Sequence, residues 1–117
     1  MDPRYSDYVE SDPQKQVVML QAALNLPDRE EANHAVRTII LTHNRANVSS
    51  QEEAEGAREM MLMIIDVLRK AGKQRVPDRG IFSIGSVAYD HVDTDVRKAA
   101  ADLLVEWALS TPPPQRD

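Results

Sequence analysis

Ser50 to Ala71 reads SQEEAEGAREMMLMIIDVLRKA and is the longest apolar helix pattern in the chain. At about 100° per residue, its apolar side chains form one broad stripe with further apolar positions on both flanks. The members of the stripe are Ala54, Ala57, Met61, Ile64, Ile65 and Leu68. A helix with an apolar surface this wide contacts at least two neighbours, so we expect residues 50–71 to form the central helix of a bundle.

Local signals specify both ends of this helix. Ser50 followed by Glu53 matches a capping box. In that motif the serine oxygen accepts a first-turn N–H, and the glutamate reaches back to the N–H of the cap residue. Gly72 stands where a residue of positive φ ends many helices. The pattern therefore predicts a helix with defined start and stop.

Length and composition limit the classes of protein to consider. A chain of 117 residues is long enough for one hydrophobic core but not for two. The net charge of −5 disfavours binding to nucleic acid or anionic membrane over the whole surface. The absence of cysteine excludes a disulfide framework and thiolate chemistry. No apolar run reaches membrane-spanning length and the first residues do not resemble a signal peptide, so we expect a cytoplasmic protein without a membrane partner.

The chain divides into three predicted regions. Residues 1–11 form a polar N-terminal arm, residues 12–110 a single helical domain, and residues 111–117 a proline-rich C-terminal tail. We expect the arm to be flexible, as chain termini commonly are. The alternative is that its Tyr5 and Tyr8 dock on the bundle or on a partner.

Capping signals and apolar periodicity predict three further long helices. They span residues 14–26 after Asp12-Pro13, residues 28–44 after Pro27, and a last helix from Asp93 or Thr94 to about Ser110. Aspartate is a good N-cap, and proline is tolerated in a first helical turn. The short joint between the first two of these helices predicts an antiparallel hairpin.

The segment between Gly72 and the last helix is the least regular part of the chain. Pro77 and two glycines argue against a long helix there. We expect a loop that folds back to bury Phe82 and its apolar neighbours, followed by a short helix that begins near residue 83 or 86 and ends near residue 89 or 91. A strand at residues 81–84 is the alternative.

These patterns predict an all-α bundle of about five helices, four long and one short. One stretch, DHVDTDVRKAAADLLVEWAL at residues 90–109, resembles the turn and second helix of a HEAT-type repeat. The resemblance is carried by an Asp-rich turn, a Val-Arg pair and the following alanines and leucines: Asp93, Asp95, Val96, Arg97, Ala99, Ala100, Leu103 and Leu104. It covers less than a fifth of the chain, and such arrays need about three units. It implies HEAT-like stacked helical hairpins that bind proteins as the alternative architecture, and it assigns no functional residue.

Signatures of catalysis and of metal or nucleotide binding do not assemble in this sequence. Glu31 and His34 have the spacing of helical di-metal sites, but those sites need a second such pair, and none occurs. The sequence also lacks a Walker loop and a G-x-S-x-G nucleophile motif. We therefore predict that the protein is not an enzyme and that it has no cofactor.

Positive charge is concentrated in residues 69–79, where Asp78 is the only acidic residue. The five cations of this basic cluster are Arg69, Lys70, Lys73, Arg75 and Arg79. They are candidate contacts for an anion or for the acidic face of a partner. The alternative is a solvated loop whose charges are favoured by the dipole at a helix end.

Three apolar residues fall outside the predicted core faces: Leu41 on the second helix, and Val105 and Leu109 on the last one. Apolar residues that share an exposed patch are typical of an interface. We therefore predict a non-catalytic protein that binds another protein as an adaptor, regulator or inhibitor. A nucleic-acid-binding regulator that uses residues 69–79 is the alternative, and a homodimer through the last helix, around Trp107, is a further one.

Overall fold

The computed structural model describes residues 13–110, and this range is all-helical without a strand. The helices are α1 (Pro13–Leu24), α2 (Arg29–His43), α3 (Gln51–Ala71), α4 (Asp78–Asp90) and α5 (Thr94–Ser110), with a 3₁₀ turn at Lys73–Arg75. The predicted all-α bundle of about five helices is therefore confirmed. The expectations for the N-terminal arm with Tyr5 and Tyr8, and for the tail at residues 111–117, lie outside the described residues.

The ends of α3 follow the predicted signals with one local difference. The Ser50 hydroxyl oxygen accepts the backbone N–H of Glu53 at 3.0 Å. The Glu53 carboxylate accepts the N–H of Ser49 at 3.0 Å, one residue before the N–H that a capping box uses. Gly72 ends the helix with a φ of 89°. The predicted roles of Ser50 and Gly72 are confirmed. Glu53 accepts the N–H of Ser49 instead of the N–H of the cap residue Ser50.

The helices pack in two layers. One layer holds α2, α4 and α5, with α4 in the middle, and the other holds α1 and α3. α3 contacts α1, α2 and α5, which confirms that its wide apolar surface serves more than two neighbours. Its predicted stripe is buried except for Ala54, which is half-buried, and Met61, Ile64 and Leu68 are fully buried. α4 and α5 contact each other as a hairpin around the Asp-rich turn.

Helix α4 corrects the prediction of a loop and a short helix. It begins at Asp78 and runs for 13 residues, and the strand alternative is wrong. Pro77 precedes the helix with φ −61° and ψ 154°, a position where the missing proline N–H breaks no helical hydrogen bond. Gly80 allows α4 to approach α2, because a Cβ there would lie 2.8 Å from Val36 Cγ1 and 3.0 Å from Val76 Cγ1. Pro77 therefore precedes the first turn of the helix, and Gly80 allows close packing on α2, although both residue types are typical of a loop.

Two side-chain contacts set the register between α2 and α4. Near the start of α4, the Asn33 side-chain oxygen accepts the backbone N–H of Arg79 at 2.9 Å. Near its end, the Asn44 amide donates to Asp90 at 2.9 Å. Both contacts join residues 46 positions apart. The two helices therefore run parallel, side by side, along the length of α4.

The turn between α4 and α5 is built around a buried histidine. His91 is fully buried, and its Nδ1 accepts the backbone N–H of Asp93 at 3.0 Å. Asp93 accepts the N–H of Val96 at 2.9 Å, which confirms it as the cap of α5. Arg97 donates to the carbonyl oxygen of His91 at 2.6 Å. The polar residues that resemble a HEAT-type turn thus hold the α4–α5 joint together.

Candidate interaction surface

The predicted basic cluster is spread over more than one groove, and several of its cations have partners within the fold. Arg69 pairs with Glu106 at 3.1 Å, and Lys70 pairs with Asp66 at 2.9 Å. Arg75 donates a hydrogen bond to the side-chain oxygen of Asn25. These three cations therefore have partners within the fold, which reduces their availability to an external anion.

The other two cations of the cluster lie on different parts of the surface. Lys73 lines a groove of about 630 Å³, together with Arg29, Arg75 and the carboxylate of Asp78. Arg79 lies in the first turn of α4 and lines a different groove, beside Arg37 of α2. Proximity in the sequence did not indicate this separation, because a turn and a new helix begin inside the cluster.

Two aromatic side chains stand in solvent on the middle helix of the three-helix layer. Phe82 is 76% exposed and Tyr89 is 86% exposed. They are seven residues apart on α4, so they lie on the same side of it, two turns from each other. We call the side of α2, α4 and α5 that faces away from α1 and α3 the outer face.

The exposure of Phe82 corrects the expectation that this residue is buried. In the helical register of α4, the residues that face the core are Gly80, Ser83, Ile84 and Val87. Phe82 falls on the opposite side. The spacing of Gly80, Ile84 and Val87 after Pro77 is the sequence signal that could have revealed this face. Phe82 was missed because its segment is predicted to be a loop. Tyr89 falls at the end of the predicted short helix, for which no core face is predicted.

A shallow groove runs between α2 and α4 beside these aromatic residues. It has a volume of about 280 Å³ and is lined by Arg37, Leu41, Arg79, Phe82, Ser83 and Ser86. No carboxylate is among these lining residues. The Ser83 hydroxyl donates to the carbonyl oxygen of Arg79 at 2.6 Å, so its hydrogen is already used inside the helix. The predicted interface residue Leu41 is half-buried in this groove.

The other two predicted interface residues lie on the neighbouring helix. Val105 is 55% exposed and Leu109 is 82% exposed, one turn apart on α5. The buried residues of α5 are Val96, Ala100, Leu103 and Trp107, and Val105 lies opposite them. Leu41, Val105 and Leu109 therefore lie on the two helices that flank α4, with Phe82 and Tyr89 between them.

The buried His91 and the half-buried His43 lie away from the outer face. Burial and the nearby charge of Arg45 lower the pKa of His43 to about 4. Burial also lowers the pKa of His91, although the charge of Asp93 opposes this change. Both rings are therefore uncharged near neutral pH, and they belong to the packing of the bundle rather than to its surface.

Other classes of site find no support within residues 13–110. In this range no group of three or more His, Asp or Glu side chains is arranged to hold a metal ion. Glu31 and His34 are both exposed on α2. Across the same residues, no helix combines the length and apolar character needed to cross a membrane.

Comparison with known proteins adds no relative to this description. No family model, curated protein or solved structure matches the chain.

Proposed function

We propose that the protein is a non-catalytic interaction module that binds another protein through its outer face. The single observation that supports this most is the exposure of Phe82 and Tyr89 on the same side of α4. Aromatic side chains are enriched at protein interfaces and among the residues that contribute most to binding energy. Burying one such side chain contributes about 1.5–3 kcal/mol. In this role the protein acts as an adaptor, regulator or inhibitor of its partner, with the cytoplasm as its location.

The position of α4 favours binding with little loss of entropy. The helix is packed on both sides, against α2 and α5, so the backbone beneath Phe82 and Tyr89 is fixed before a partner arrives. Binding then has to order only the side chains themselves, which costs less than ordering a loop. Leu41 lines the groove beside Phe82, and Val105 is exposed on α5, the other helix that α4 contacts.

Nucleic-acid binding is the second candidate, and one observation favours it. Arg79 and Arg37 lie beside Phe82, and cations next to an exposed aromatic ring suit a single-stranded nucleic acid. The rest of the basic cluster opposes this candidate, since Arg69 and Lys70 are paired within the fold. The net charge of −5 also repels a polyanion.

A recovery experiment from a lysate of the source organism separates the two candidates. The bait proteins are the parent chain, Phe82→Ser on the outer face and Val18→Ser as the control, since Val18 is exposed on α1 in the other layer. Recovery is compared at low and high salt, with and without nuclease. We expect the parent and Val18→Ser to retain the same protein at high salt, and Phe82→Ser to lose it. Recovery that nuclease abolishes and high salt removes would instead support nucleic-acid binding.

A further inference from the structure

We propose that the partner presents an acidic, amphipathic helix that lies in the groove between α2 and α4. This inference rests on the proposed function and adds to it the chemistry of the partner. The groove is lined by two apolar side chains, Leu41 and Phe82, by two guanidinium groups and two serines, and by no carboxylate. It therefore suits an apolar side chain with carboxylates close by.

The two guanidinium groups of the groove are not committed to carboxylates of the described fold. Arg45, Arg58 and Arg69 each form an ion pair within the fold. Arg37 and Arg79 form none with any residue between 13 and 110. An unpaired guanidinium fork on a helix is a good site for bidentate contact with a carboxylate. The groove is therefore positively charged, although the whole chain carries a net charge of −5.

The shape of the face suits a helix. Phe82 and Tyr89 are two turns apart, about 10 Å along the axis. That spacing matches the distance between side chains seven residues apart on a partner helix, the repeat used in helix-in-groove recognition. The parallel register of α2 and α4 keeps the groove straight between Arg79 and Leu41. One apolar side chain of the partner would pack on Leu41 and Phe82, and its neighbouring carboxylates would meet the two arginines.

Other occupants fit the groove less well. Two phosphate contacts add little affinity for a nucleic acid, and the net charge of −5 repels a polyanion, although the exposed Phe82 ring offers a surface for base stacking. A second copy that used the same face would bring Arg37 and Arg79 against an equally basic surface, whereas the acidic residues Asp90, Asp93 and Asp95 lie elsewhere, at the end of α4 and the start of α5.

The test uses a displayed library of short helical peptides that are randomised along one face. The full chain is the bait, and binding of the selected peptides is then measured in solution. Arg79→Glu tests the charge and Phe82→Ser tests the apolar contact. The matched controls are Lys15→Glu and Val18→Ser, both exposed on α1. A glutamate at position 79 is favoured by the dipole at the start of α4, so this variant keeps the helix.

We expect the selected peptides to be acidic with apolar residues at helical spacing. Their Kd should rise about tenfold or more in both outer-face variants and stay unchanged in the controls. Peptides that need Phe82 but are neutral or basic would overturn this inference and leave the proposed function standing. Selected peptides whose binding is unchanged by Phe82→Ser would overturn both the inference and the proposed function. A failure to select any peptide, combined with binding of a single-stranded oligonucleotide through Arg79, would overturn both as well. A dimer in light scattering that Phe82→Ser dissociates would assign the face to a second copy and overturn the inference.

Discussion

Gly80 and Gly85 lie in the same helix, and replacing each by alanine should change stability in opposite directions. A Cβ at Gly80 would lie 2.8 Å from Val36 Cγ1, whereas a Cβ at Gly85 has no neighbour within 4 Å. Inside a helix, alanine is favoured over glycine by about 0.8–1 kcal/mol. Gly85→Ala should therefore raise the free energy of unfolding by about that amount.

Gly80→Ala has the same favourable change in helix propensity, but its added methyl group also destabilises the fold because the space around it is already filled. Inserting a methyl group into a filled space costs about 1–3 kcal/mol. Val36 is β-branched and fully buried, so it has few rotamers with which to move aside. The net expectation for Gly80→Ala is a loss of about 0–2 kcal/mol. The difference between the two variants isolates the overpacking cost, about 1–3 kcal/mol.

Urea denaturation measures both variants under the same conditions. Trp107 is buried in the core and gives a fluorescence signal for unfolding. The reasoning predicts a lower midpoint than the parent for Gly80→Ala and a higher one for Gly85→Ala, with unchanged slopes. If Gly80→Ala were as stabilising as Gly85→Ala, α2 and α4 would not approach as closely as described, and the groove between them would lose its rigid floor.

Three further predictions concern the core and the histidines. Ile64→Ala should lower the free energy of unfolding by about 2–5 kcal/mol, because it opens a cavity in the centre of α3; a cost near zero in urea denaturation would contradict the central position of that helix. His34→Ala should leave stability nearly unchanged, since His34 is exposed on α2, and metal analysis of both proteins should show no difference. Stability should fall as pH decreases from about 7 to about 4, because the unfolded chain binds protons at His43 and His91 that the buried rings exclude. After allowance for the partial exposure of His43, the loss in free energy of unfolding due to this residue is on the order of 1–2 kcal/mol. His43→Asn should therefore reduce the dependence of stability on pH between about 7 and about 4.

Much of the fold could be predicted from local signals. Ser50, Gly72 and Asp93 act at helix ends, where one side chain or one φ value decides the outcome. The wide apolar stripe of α3 identified a helix with several neighbours, because burial on many sides requires apolar residues on many sides.

The full length of helix α4 was not predicted because Pro77 and Gly80 are compatible with either a loop or a helix. Pro77 and Gly80 are typical of a loop unless the proline stands just before the first turn and the glycine faces another helix. Whether a neighbouring helix comes that close is a tertiary fact, since the contact is with Val36, more than 40 residues away in the sequence.

Only the residues of the candidate surface on the flanking helices α2 and α5 were predicted from the sequence. Leu41, Val105 and Leu109 were recognised as lying off the core faces of their own helices. Their relation to one another depends on α4, which lies between α2 and α5 and contributes Phe82 and Tyr89. The basic cluster looked continuous in sequence, but Arg79 lies in a new helix and lines a different groove from Lys73.

Photo-crosslinking from position 82 tests the central claim most directly. A benzophenone amino acid replaces Phe82 in one protein and Val18 in another, and both are irradiated in a lysate of the source organism. The account predicts that position 82 crosslinks to one protein partner and that position 18, in the opposite layer, does not. Crosslinking that is equal from both positions, or that occurs only from position 18, would contradict an interaction through the outer face.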